Sequence, residues 1–164
     1  MKTPWDDRNI IVANLFNPAF CGEIIRIVAN SYNKHTNTKF PFAFSFIVLP
    51  ILLHKQTRLK MPRTTRTYFF AWVEENDSLF YDFSIRTKSM VKYTKEALSF
   101  LLAYKRIELT EYGHIVTQEV RVKQINNNDH QEYNEIVKKA EMLGKWLATT
   151  SEVKSIYSFF RITP

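Results

Sequence analysis

The chain has 164 residues, 45% hydrophobic and 15% aromatic, which is enough apolar material for a packed core and excludes a globally disordered chain. Only three glycines and six prolines argue against a turn-rich β-sandwich and for helices. The formal charge of +7 points to a polyanionic or acidic partner, and the single cysteine, Cys21, excludes an internal disulfide and a thiolate metal cage.

The opening MKTPWDDRNIIVAN lacks a long apolar stretch and a small-residue cleavage site, so no secretory leader is expected. With one cysteine, a reducing cytoplasmic setting is the matching expectation. Residues 1–15 read as an N-terminal segment. Residues 18–32 place Phe20, Ile24, Ile27 and Val28 on one helical face, with Asn17 as N-cap and Pro18 in the first turn. NKHTNTKFP, residues 33–41, is polar and aperiodic and reads as a loop.

FAFSFIVLPILLH predicts a buried helix bent near Pro50. From Phe42 to Leu53 the apolar run is about twelve residues, short of the ~20 that span a bilayer, so no membrane partner is expected. HKQTRLKMPRTTR, residues 54–66, then reads as a basic loop broken by Pro62. Thr64 or Thr65 is placed to cap a short helix over TYFFAWVEEN. Asp77 or Ser78 would cap another, with Phe80, Phe83, Thr87 and Met90 roughly in line. Thr94 would open a third, in which Ala97, Leu98, Leu101 and Leu102 form a core stripe.

The period then changes. In RIELTEYGHIVTQEVRV, Ile107 and Leu109 lie two apart, Gly113 follows at a turn position needing positive φ, and a second run ends in Val120 and Val122. Short helices ending in a helix followed directly by a hairpin give the order of a winged helix-turn-helix. INNNDH, residues 125–130, is a linker by composition, with Asn128 or Asp129 as a cap for the next helix. Residues 131–149 put Tyr133, Ile136, Val137, Ala140, Leu143 and Leu147 on one face, with Trp146 beside it. EVKSIYSFF is a final short amphipathic helix. The expected fold is mainly α: a winged-helix-like core over 16–122 with one β-hairpin, then a linker and helical tail over 123–164.

Chemistry is sparse. His35, His54, His114 and His130 are scattered without metal-ligand spacing, and Gly22, Gly113 and Gly144 are too far apart for a phosphate loop. Cys21 falls on the apolar side of a helix with no base nearby and reads as structural. Glu152-Val153-Lys154, with Asp129 upstream, has the local look of a metal-dependent nuclease motif but falls on a predicted helix instead of a core strand. No catalytic residue, metal ligand or cofactor is expected, and the chain reads as non-enzymatic.

The positive signal is cationic. Between Glu23 and Glu74 there is no acid, while Arg26, Lys34, Lys39, Lys55, Arg58, Lys60, Arg63 and Arg66 fall inside. Lys55, Arg58, Lys60, Arg63 and Arg66 follow the apolar helix directly and are the candidate contact residues, with Arg58 and Arg63 expected to face solvent and to bind carboxylates or phosphates bidentately. On composition alone three readings stay open: a solvated loop, a surface for an acidic protein and a nucleic-acid contact.

NPAFC (17–21), FSFIVLPILLHKQTRLKMPRTTRT (44–67), FAWVEEN (70–76) and YTKEALSFLLAYKRIEL (93–109) together resemble the middle component family of bacterial three-component ABC systems. The Leu49-Pro50 to Arg58 block is the most specific part, and the tail after Asn126 lies outside the resemblance. The resemblance implies a small non-enzymatic accessory subunit partnered with a large SMC/Rad50-like ABC ATPase and an effector subunit such as a nuclease. Such sets are similar to Lamassu-type antiphage and antiplasmid defence systems, with DNA engaged through the assembled complex. No catalytic residue is carried over. Because the family motif runs through His54, Lys55 and Arg58, the resemblance favours a functional contact over a solvated face. The other classes kept open are a stand-alone winged-helix DNA-binding regulator and a cryptic nuclease.

Overall fold

The computed structural model describes residues 8–119, 130–150 and 152–163. Helix α1 (Ile10–Leu15) leads into α2 (Pro18–His35), and Asn17 caps α2 by accepting from the amides of Ala19 and Phe20. A two-residue strand β1 (Phe40–Pro41) and a 3-10 turn precede α3 (Ser45–Leu52), followed by α4 (Lys55–Lys60) and α5 (Phe69–Glu75). After a second 3-10 turn come α6 (Phe83–Ala103), β2 (Ile107–Leu109), β3 (His114–Thr117), α7 (Gln131–Thr149) and α8 (Val153–Phe159).

The protein is mainly helical, with a small antiparallel sheet ordered β1-β3-β2. The hairpin is where the period-2 pattern placed it: Ile107 pairs with Thr117 and Leu109 with Ile115, and Gly113 has φ +75°. Its expected continuation to Val120 and Val122 lies outside the described residues, as does the linker before His130; His130, and not Asn128 or Asp129, holds the cap position of α7, without a side-chain bond. The third strand comes from the segment read as a loop. Phe40 is an apolar residue at the end of a polar stretch, and it pairs with Ile115 while burying its ring against Tyr32 and Phe44.

Four other local expectations are corrected. Residues 55–60 form a helix instead of a loop, because His54 caps it and Pro62 interrupts the chain only after its end. Thr94 does not open a helix: α6 runs unbroken from Phe83 to Ala103 with Thr94 buried in its middle. Burying Thr87, Met90, Ala97 and Leu101 on one continuous face outweighs the local capping preference of a threonine. Leu102, expected in that stripe, is 43% exposed. Neither Thr64 nor Thr65 caps α5; Tyr68 occupies that position without a side-chain bond.

Helix α6 ends in a Schellman turn. Lys105 takes φ 52°, the Arg106 amide donates to Leu101 O at 2.8 Å and the Lys105 amide to Leu102 O at 3.1 Å. That turn sends the chain straight into β2.

Helix α2 is the centre of the molecule, packed against α3, α6, α7 and β3, and most extensively against α7. Ile24, Ile25, Val28 and Ala29 are therefore buried on more than the one face that periodicity marked. The C-terminal helices are part of this core: Ala140, Leu143, Trp146, Leu147 and Ile156 all bury within it. Trp146 joins an aromatic cluster built around Phe69, edge-on to Phe69 at 5.3 Å and beside Trp72 at 5.1 Å. Phe160 extends that cluster by contacting Phe69, Phe80 and Phe83.

One stretch of the described residues, Ile10–His35, is long and apolar enough to cross a membrane by length and composition. It is divided between α1 and α2 at Phe16-Asn17, and the apolar residues of α2 are spent on the protein core.

Candidate contact surface

The apolar helix α3 is buried along nearly its whole length, and Leu53 and His54 separate it from α4. His54 Nδ1 accepts from the Thr57 amide at 3.3 Å and meets Thr57 Oγ1 at 2.6 Å. A nitrogen that accepts from an amide carries no proton, so this cap needs the neutral imidazole protonated on Nε2. Burial lowers the His54 pKa below its ordinary value, the Arg86 guanidinium adds to this, and Asp82 opposes it.

The cap therefore depends on pH with a definite sign. A histidine whose folded pKa is depressed contributes stability that is present above its unfolded value, near 6.5, and is lost as pH falls through the folded pKa. The stability of the protein at pH 5 relative to pH 7.5 is expected to improve in His54→Asn, which caps without titrating. Parallel denaturation profiles for parent and variant across that range would show that His54 contributes nothing.

Arg58 is not on the surface. It was expected to face solvent, and it is 2% exposed. Its Nη1 donates to Leu52 O at 2.7 Å, its Nε to Glu135 at 2.9 Å and its Nη2 to Glu132 at 2.6 Å. Arg58 thus clamps the end of α3 to the first turns of α7. The acids lie more than seventy positions away, so no local charge pattern could show that the guanidinium was already spoken for.

The rest of the basic stretch is held by its backbone. The Trp72 indole donates to Lys60 O at 2.8 Å, and Lys139 Nζ donates to Met61 O at 2.9 Å and Pro62 O at 3.1 Å. The Trp146 indole donates to Thr67 O at 2.7 Å. Burial lowers the Lys139 pKa, Glu135 opposing and nearby Arg63 adding to the shift. Arg58 and Lys139 together balance Glu132 and Glu135. Lys55, Lys60, Arg63 and Arg66 are left exposed, and none of the four makes an ion pair among the described residues.

Two apolar groups share this surface. Leu59 is 60% exposed on the outer side of α4, and Tyr68 is 53% exposed at the end of the loop, packed edge-on to Phe70. Sequence reading missed both, since neither stands out in a segment defined by charge. Lysine, arginine, leucine and tyrosine on a backbone pinned at Lys60, Met61, Pro62 and Thr67 make an ordered cationic surface with apolar anchors.

Reactive chemistry is confined elsewhere. Burial pushes the Cys21 thiol up to about 12, and its Sγ lies 3.9 Å from Leu15 O. Among the described residues no group of three His, Cys, Asp or Glu converges as a metal site would require. Glu152 stands at the N-cap of α8, while Asp129 lies outside the described residues. A shallow depression lined by Ile11, Asn14, Leu15 and Phe20 carries no titratable group.

The family model described as ABC-three component (ABC-3C) system Middle Component 3 matches residues 5–164. Comparison with curated proteins and comparison with solved structures gave no match.

Proposed function

Since the chain belongs to the Middle Component 3 family, and is thus a component that partners the others of an ABC-three component system, we propose that it is a non-enzymatic adaptor within that complex. It joins an SMC/Rad50-like ABC ATPase to an effector subunit such as a nuclease, in the cytoplasm, in a defence system of the Lamassu kind that responds to foreign DNA. The observation that carries this reading is the exposed set Lys55, Leu59, Lys60, Arg63, Arg66 and Tyr68 on α4 and the loop after it, fixed by Trp72, Lys139 and Trp146. Arginine and tyrosine are enriched at protein interfaces, and a pre-ordered loop loses less entropy on docking than a mobile one. Arg58 is removed from the contact set and becomes the residue that positions it.

The winged-helix reading of residues 16–122 draws support from connectivity. Helix α2, β1, a helical segment, α6, β2 and β3 follow one another, and β3 lies between β1 and β2. This is the element order of a helix-turn-helix whose last helix feeds a wing, and it keeps a stand-alone DNA-binding regulator as the second reading.

The test is co-purification with the ATPase. Lys60→Glu combined with Arg63→Glu and Arg66→Glu is expected to leave the fold intact, because all three side chains face solvent. It should weaken assembly more than tenfold, roughly 1.4 kcal/mol. A folded triple variant that assembled as the parent does would leave the surface a solvated loop.

A further inference from the structure

The outward face of α6 carries a second cationic surface of different chemistry. Lys88, Ser89, Lys92, Lys95 and Ser99 are exposed along one side of the helix, opposite the buried line of Met90, Thr94, Ala97 and Leu101. Their spacing of four and three residues keeps the lysines on one stripe, and from Lys88 to Lys95 they cover about 10 Å of helix. Glu96, the acid beside this stripe, accepts a two-pronged bond from Arg8, so its charge is already matched. Lys92 lies over the Tyr93 ring at 5.1 Å, and Tyr93 stacks on Phe16 at 4.2 Å, which anchors the middle of the stripe. Beyond the helix end, Lys105 and Arg106 are exposed in the turn that leads to the hairpin.

We propose that this face of α6 binds the phosphates of duplex DNA, independently of the α4 surface. The distinction rests on composition. Protein interfaces are depleted in lysine and serine and need apolar or aromatic anchors at their centre, whereas DNA phosphates are contacted by lysine and by serine hydroxyls. Between Lys88 and Ser99 the exposed positions are all lysines and serines, and the exposed apolar side chains of this face, Ile85 and Leu102, lie beyond its two ends. The α4 surface has the opposite character, with Leu59 and Tyr68 set among its cations. The face presents no paired arginine or amide aimed outward for reading base edges, so binding is through the backbone and is indifferent to sequence.

The full chain would be titrated into a labelled duplex of mixed sequence at several salt concentrations, by fluorescence polarisation. The parent is expected to bind at 50 mM salt, with affinity falling as salt rises. Lys88→Gln with Lys92→Gln and Lys95→Gln should weaken binding at least tenfold and flatten the log–log salt slope by about 2.7, at roughly 0.9 per lost phosphate contact. Lys55→Gln with Lys60→Gln should bind duplex within twofold of the parent. Absence of binding by the parent would overturn the proposal. So would a triple variant that binds as the parent does, a double variant that loses as much as the triple, or poly-glutamate binding as tightly as the duplex.

Discussion

Replacing Glu132 and Glu135 together by glutamine is expected to lower the unfolding free energy by about 3–5 kcal/mol, the range for leaving a buried charge without its partner. Arg58 is 2% exposed and would keep Leu52 O and the neutral amide oxygens as acceptors, with no counter-charge for its full positive charge. The reverse substitution is milder. In Arg58→Met the two carboxylates, at 65% and 38% exposure, turn to solvent, and the methionine stem refills much of the volume. Urea denaturation should rank the acid pair well above Arg58→Met; equal losses would mean that the clamp acts through packing and not through charge. Either variant also releases α4 from α7, so Arg58 substitutions report on folding before they report on assembly.

Gly144→Ala is expected to cost about 3 kcal/mol or more, at or beyond the upper end for overpacking a core. A Cβ there would meet Val28 O at 2.4 Å, Ser31 Cβ at 2.6 Å and the Tyr32 amide nitrogen at 2.9 Å. Two of these three atoms are backbone of α2, so relief requires the helices to separate. Separation would break the hydrogen bond from Ser31 Oγ to Glu141 O at 2.6 Å and open the most extensive contact in the core. Thermal denaturation would show a loss of this size; an unchanged midpoint would mean that α7 can tilt at no cost.

These two sites mark the limit of what was legible in the chain. Periodicity and caps found what is local: the Asn17 cap of α2, the buried stripe of α7, and the hairpin with Gly113 at positive φ. They failed where a distant partner decides. Thr94 looks like a helix start, but packing of α6 on α2 and α3 carries the helix through it. Arg58 looks like a member of an exposed cationic run, yet α7 supplies its acids. Gly144, in the sequence only a glycine too far from the others to build a phosphate loop, is the point where two backbones meet. The basic surface was legible as charge. Its rigidity was not, because it comes from Trp72, Lys139 and Trp146 donating to carbonyls that carry no mark in the sequence.

The clamp and the close approach serve the same end. Helix α7 fixed on α2 holds Arg58, Lys139 and Trp146 in place, and these fix α4 and the loop that follows it. What remains outside is a set of four cations together with Leu59 and Tyr68. The most direct measurement is amide hydrogen exchange of the chain alone and in complex with its ATPase, without DNA. Protection gained over residues 55–68, and abolished by the Lys60, Arg63 and Arg66 charge reversals, is the expected result. Exchange unchanged over 55–68 in an assembled complex, with protection appearing on another face, would contradict the assignment of this surface to the partner.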